Sequence, residues 1–368
     1  MSKGELTVQR KPTGCRVELM FDGLAVSWVE LLYRRLRVGR AELTFGGLAD
    51  VFTRREHRGK GLSRRVLDQA LKTMTADRLD VSMLFGIPDF YHKFGYRTAL
   101  SDYRVDLPGR AAITLPVELA ARSIPKRRHA EVLGLYGVDL RRRGFGTVRP
   151  RAAWPGYHRG AMFRNEALVT GFYRGKKLVG YVVHDQSDKE CRVPEMAALD
   201  QAAVRTMLAW LGRLCRAKVC ETISLHLPPN HPASRAAIEL GAAFTRQTAA
   251  NGGGMMRILN LGSTMAALMS ELAARWAAST LGDRGLDLTL VTDLGPAELA
   301  IPARGTSAET IRGRVHLAQD RLIQLVTGYL GGAAMATRPE VRIPKKLAAA
   351  MDLLFPERCP TILATDTF

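Results

Sequence analysis

Val51–Leu67 reads VFTRREHRGKGLSRRVL. An apolar, strand-like run enters a loop built around Gly59 and Gly61 and leaves it as a helix rich in arginine. Leu62, Val66, Leu67, Ala70 and Leu71 fall on one face of that helix. Glycines at a strand-to-helix junction let a backbone approach another molecule closely. The first N–H groups of a helix lack partners within it, and the helix dipole puts positive charge at that end. With arginines alongside, the loop reads as a cradle for an anion. Two well-known anion loops do not fit. A Walker loop needs G-x-x-x-x-G-K-[ST], which GKGLS does not supply, and a dinucleotide loop needs a third glycine where Arg64 stands. The pattern that fits is R-x-x-G-x-[GA], read on Arg58, Gly61 and Ser63, with Ser63 a small substitute in the last place.

The chain has 368 residues, enough for two or three domains, and a formal net charge of +19. The surplus lies in the first 260 residues; residues 261–368 carry equal numbers of basic and acidic side chains. Such a charge attracts anions and repels cations. No apolar run is long enough to cross a bilayer, and MSKGELTVQRKPTG lacks the apolar core of a signal peptide. Five scattered cysteines without C-x-x-C spacing read as reduced thiols of a cytoplasmic protein rather than as disulfides or a metal site.

The element order is legible. GCRVELMFDG and LAVSWVELLYRRLRVG read as strands joined at Asp22-Gly23, and RAELTFGGLADVFT as a third strand bent or bulged at Gly46-Gly47. After the glycine loop and its helix come a buried strand, LDVSMLFG, an aromatic turn, FYHKFGY, and a last strand, YRVDLP, with LPGRAAITLP as linker. Residues 109–258 repeat this order loosely, without a Gly-x-Gly loop at the corresponding helix. The glycine run at 251–256 marks the next boundary. Residues 259–368 alternate amphipathic helices with strands.

Three motifs together resemble the Eis-like (enhanced intracellular survival) N-acetyltransferases of the GNAT superfamily. These are the glycine loop, the turn LFGIPDFYHKFGYRTA at 84–99, and the ending LFPERCPTILATDTF. The resemblance implies an α+β fold with two tandem GNAT-like mixed-sheet domains followed by a sterol-carrier-like α/β domain. The expected boundaries are 1–108, truncated at its start where the family has a roof of two helices; 109–258, degenerate; and 259–368. It implies acetyl-CoA as co-substrate, no metal, and a small-molecule or peptide amine as acceptor. A homo-oligomer, a hexamer by resemblance alone, is the implied assembly. Tyr91 takes the family's general-acid position and the carboxylate of Phe368 that of general base. Tyr96 and Asp50 are the substitutes. For the co-substrate, the alignment assigns Val51, Phe52 and Thr53 to the pantetheine. It assigns Arg58, Gly59, Lys60, Gly61, Leu62, Ser63 and Arg64 to the pyrophosphate, and Gly86 and Ile87 to the thioester end.

Two readings compete. Basic clusters such as LYRRLRVGR and DLRRRG fit a nucleic-acid-associated protein, although they are more often solvated faces and no RNA-binding or zinc-finger motif accompanies them. A lipid carrier built on the last domain is the other. Polycationic acceptors suit a chain of this charge poorly, which leaves the acceptor open.

Overall fold

The computed structural model describes residues 4–152, 154, 156–157, 167–185, 191–305 and 309–368. The first segment holds β1 (Glu5–Lys11), β2 (Gly14–Phe21), β3 (Leu24–Val38), β4 (Ala41–Thr53), α1 (Leu62–Ala76), β5 (Val81–Gly86) and β6 (Arg97–Thr98). Then follow β7 (Asp102–Pro108), α2 (Gly109–Ile113), β8 (Ala120–Ser123), α3 (Leu133–Arg143), β9 (Phe145–Val148), β10 (Ala167–Arg174), β11 (Lys177–Asp185), β12 (Cys191–Val193), β13 (Glu195–Ala198), α4 (Gln201–Ala217), β14 (Thr222–Leu225), α5 (Pro232–Glu239) and β15 (Ala243–Gln247). The chain continues through β16 (Gly253–Ile258), α6 (Leu261–Ala277), β17 (Gly285–Thr292), β18 (Gly295–Ile301), β19 (Thr310–His316), α7 (Gln319–Thr327), α8 (Gly332–Ala336) and α9 (Lys345–Leu354).

These elements cluster into two units. One comprises the chain up to Leu100, Thr248–Pro360 and Phe368; the other comprises Ser101–Gln247 and Thr361–Thr367. Of residues 259–368, expected as a third domain, 259–360 and Phe368 cluster with the first segment. The main sheet of the first unit has the order β1-β2-β3-β4-β5-β16-β6. Strands β1 to β4 form an antiparallel meander. Asp22 and Gly23 both have positive φ, 48° and 78°, which suits a tight hairpin turn. Strand β4 then crosses through α1 to the parallel β5. A smaller sheet, β18-β17-β19, completes this unit. The second unit contains two four-stranded sheets, β13-β11-β10-β8 and β12-β14-β7-β15.

Several sequence expectations change here. The glycine run at 251–256 lies just after the change of unit at Gln247–Thr248 and is itself structured: Gly253–Ile258 forms β16, pairing antiparallel with Val81–Gly86. Its residues Met255, Met256 and Ile258 are buried. Conversely, YRVDLP forms β7 between β14 and β15 of the second unit. Each segment's closing strand therefore belongs to the other unit's sheet. Local periodicity reports that a run is a strand but not which sheet takes it. The amino-terminal ELTVQRK, not read as a strand, pairs as β1 along its full length with β2. The expected linker LPGRAAITLP contains α2. The β4 bulge lies at Asp50, φ 46°, opposite the register shift between Trp28 and Glu30, rather than at Gly46-Gly47. The two glycines serve packing instead. A Cβ on Gly46 would lie 2.2 Å from Met74 Sδ, and one on Gly47 would lie 2.4 Å from Phe368 Cζ.

Helix α1 buries Leu62, Val66, Leu67, Ala70 and Met74 on one face of the main sheet, among Val17, Leu19, Val29, Leu31, Leu84 and Tyr96. Deleting buried aliphatic carbons forfeits their transfer free energy and leaves a cavity. Leu67→Ala is expected to destabilise the protein by about 2–5 kcal/mol, measured as a lowered denaturation midpoint with an unchanged slope.

Candidate active site

Strands β4 and β5 pair only across Phe45–Val81, Gly46–Ser82 and Gly47–Met83. Beyond that point β4 runs on to Thr53 and β5 to Gly86, so the two strands part. On its other side β4 stays paired: Thr53 faces Ser27 and Phe52 faces Trp28. Val51, half buried, leans on the α1 core, while Phe52 is 38% exposed. Thr53 Oγ1 lies 2.8 Å from Ser27 Oγ. The β5-facing edge of Val51, Phe52 and Thr53 can accept an extended amide-bearing chain in the manner of an added strand.

The glycine loop stands at the end of this gap. A 3-10 turn, Arg55–His57, leads into Gly59 (φ 74°) and Gly61 (φ 71°), and Gly61 is the N-cap of α1. Both glycines hold left-handed backbone that side chains rarely adopt, and a Cβ on either would meet nothing within 4 Å. The space above the loop is therefore open. No acidic residue occupies the first turn of α1, so its positive end is uncompensated. Leu62 turns into the core, Ser63 is half buried and Arg64 is exposed, with its guanidinium 5.4 Å from the centre of the Phe94 ring. Arg58 donates from Nε to the Thr53 carbonyl at 3.1 Å and lies 5.8 Å from the centre of the Phe52 ring. Lys60 Nζ donates to the Glu56 carbonyl at 3.1 Å. Basic side chains and the N–H groups of the first turn of α1 thus border the open space at the loop.

At the end of β5, Gly86 is half buried and Ile87 is 67% exposed. A Cβ on Gly86 would lie 2.5 Å from Tyr91 Cδ2, so glycine is what lets Tyr91 press against the strand end. Tyr91 opens a 3-10 turn, Tyr91–Phe94, and makes an edge-to-face contact with Phe90 at 4.9 Å. Burial raises its phenol pKa, so the proton stays on at neutral pH. Tyr96 is differently placed. Ser82 donates to the Gly46 carbonyl at 2.8 Å, so the Tyr96 hydroxyl, 2.6 Å from Ser82 Oγ, spends its proton on that serine. It is a buried support group.

The turn is held from the carboxyl-terminal segment, which sequence reasoning missed. Gln319 Nε2 donates to the Gly95 carbonyl at 2.7 Å, while Gln319 Oε1 accepts from the Ile258 N–H at 2.8 Å. Arg257 Nη1 donates to the Phe94 carbonyl, and Gln324 Nε2 donates to the Thr98 carbonyl at 2.8 Å. These partners lie far away in sequence and leave no local signal.

Phe368 meets the opposite face of the sheet. Gly46 faces α1, and its neighbour Gly47 faces the Phe368 ring. That ring lies 5.6 Å from Phe85 and 6.3 Å from Phe45, with the Arg34 guanidinium 5.4 Å from its centre. Tyr91 and Phe368 therefore flank the end of β5 from its two faces, through the adjacent residues Gly86 and Phe85. Asp50, on the β4 bulge, accepts from Trp28 Nε1 at 2.9 Å.

The fold and this region match known proteins. Residues 9–99 match the family described as acetyltransferase (GNAT) domain. Among curated proteins, none matches the sequence. A GCN5-related N-acetyltransferase from Anabaena variabilis ATCC 29413 superposes with a TM-score of 0.74 at 16% identity, over 96% of this chain and 89% of that one. A protein of unknown function from Enterococcus faecalis V583, described as a probable N-acyltransferase, gives 0.75 at 14% identity, over 97% and 90%. Eis1 from Mycobacterium abscessus gives 0.62 at 14% identity, over 98% and 91%. The chain has the mixed α/β architecture of these proteins along nearly its whole length, and within its first segment residues 9–99 match the acetyltransferase (GNAT) domain. Among the described residues no His, Cys, Asp and Glu group could hold a metal ion, and no helix is long and apolar enough to cross a membrane.

The raised phenol is directly measurable. Comparing ultraviolet titrations of the wild-type protein and Tyr91→Phe should show one phenol ionisation missing from the variant, at a pH above the ordinary tyrosine value of about 10. A missing step at or below that value would contradict the burial argument.

Proposed function

We propose that the protein transfers acetyl from acetyl-CoA to the primary amine of a small molecule or peptide. The observation that carries this reading is the parting of β4 and β5 beside an open, left-handed glycine loop at the start of α1. In this reading Val51, Phe52 and Thr53 lie along the pantetheine. The segment from Arg58 to Arg64 receives the pyrophosphate, and Gly86 and Ile87 border the thioester. The co-substrate supplies an activated acetyl group. Tyr91, protonated because it is buried, gives its proton to the departing thiolate sulfur. The Phe368 carboxylate, ionised at neutral pH, orients the amine and receives its proton, directly or through water. One proton leaves the amine and one reaches the sulfur, and the new amide bond replaces the thioester. The carboxyl-terminal segment serves as scaffold, because Gln319 and Gln324 hold the turn that carries Tyr91.

Two experiments test this. Gly61→Glu places a carboxylate and a strained side chain where the phosphates are to sit, so calorimetry should show acetyl-CoA affinity reduced severely, while the melting temperature falls only by the modest cost of left-handed backbone at a non-glycine residue. Unchanged affinity would remove the loop from the site. Deleting Phe368 should lower turnover at least roughly a hundredfold on any amine found to be a substrate, the scale of a lost acid–base group, with acetyl-CoA affinity kept. Phe368→Leu should be much milder, since it retains a carboxylate and an apolar anchor. Equal rates for wild type and deletion would move the base to Asp50 or to water.

A further inference from the structure

The second unit buries an arginine between two carboxylates, and one of those carboxylates belongs to the tail of the chain. The Arg149 side chain is 1% exposed. Its Nη1 and Nη2 form a fork onto Glu195 at 2.9 and 2.6 Å. Its Nε and Nη2 form a second fork onto Asp366 at 2.8 and 2.9 Å. The guanidinium stacks 3.8 Å from the centre of the Tyr136 ring, and Tyr136 donates its hydroxyl to Asp366 at 2.9 Å. Thr365 accepts from Arg149 at 2.9 Å and donates to Glu195. Tyr157 and Tyr181 donate to the same Glu195. Leu363, 2% exposed, lies in the second unit's core. Arginine is suited to this task because its planar fork can satisfy two carboxylates at once and stays charged when buried.

We propose that Arg149, braced by Glu195, is the anchor of the carboxyl-terminal tail and thereby a positioning residue for Phe368. Asp366 precedes Phe368 by two residues, a reach of about 7 Å of extended chain. With Asp366 locked, the last residue has little freedom, and the ordering entropy of its docking is already met. The catalytic consequence rests on the reading of Phe368 given above. The anchor itself does not.

Asp366→Asn tests it. The change is nearly isosteric and leaves Arg149 and Glu195 as a balanced pair, so the unit should fold; Thr365→Val is the milder companion should Asp366→Asn lower the melting temperature strongly. Two readouts separate the claims. The first is release of the terminal phenylalanine by a carboxypeptidase, followed by mass spectrometry, which reports tail docking without any catalysis. Release at least tenfold faster than wild type is expected. The second is acetyl-CoA turnover, where a reduced kcat with an unchanged KM for acetyl-CoA is expected. Faster release with unchanged kcat would keep the anchor and sink the catalytic role of Phe368. Release at the wild-type rate in both variants, whatever the turnover, would overturn the anchor.

Discussion

Two parallel strands that pair for three residues and then part are the constraint from which the rest of the first unit follows. Had β4 and β5 continued in register past Gly47 and Met83, their amides would have satisfied one another, leaving no edge to receive a ligand. The parting is built from several small features. Asp50 takes a left-handed backbone and bulges β4. Gly46 and Gly47 keep both faces of the strand free of side chains, one for Met74 and the other for Phe368. Gly86 does the same for Tyr91 at the end of β5. The glycine loop then sits at the open end of the gap, with the unpaired N–H groups and dipole of α1 turned toward it.

The groups around this gap come from distant parts of the chain. The glycine loop and β4 come from the first segment; the support beneath the aromatic turn comes from Arg257, Gln319 and Gln324; and the ring on the far face belongs to the last residue. Strand β16 continues the sheet beyond β5 and pairs on its other side with β6. A site assembled this way depends on the folding of segments nearly the full chain apart, so substitutions far from the gap in sequence can alter it. Polar side chains that hold main-chain carbonyls, such as Gln319 and Gln324, fix the turn without adding bulk to it.

Charge acts at two levels. The surplus of +19 is a property of the whole surface and favours an anionic ligand at long range. Inside the second unit, charges are paired locally: Arg149 bridges Glu195 and Asp366, and Asp139 meets Arg143. Burial alone would raise the Asp139 and Glu195 carboxyls, and their basic partners outweigh it and hold both below the usual carboxylate range. Removing one member of such a group strands a charge in a low-dielectric interior, whereas a neutral isostere at Asp366 leaves a balanced pair.

The glycine loop, α1 and the aromatic turn were legible in the sequence because their chemistry is local: glycine's backbone freedom, the 3.6-residue period and a cluster of aromatics act over a few residues. The hairpin at Asp22-Gly23 was legible for the same reason. The sheet membership of β7 and β16, the site of the β4 bulge and the anchoring of the tail on Arg149 were not. Each depends on a partner more than a hundred residues away or, for the bulge, on how β3 and β4 align, and nothing in a local run of side chains names that partner. Local composition and period specify which short pieces of chain can be strand, helix or glycine loop. Which strands pair is settled in the folded protein, because a strand's backbone groups can bond to any neighbouring strand and the packing of the whole sheet makes the choice.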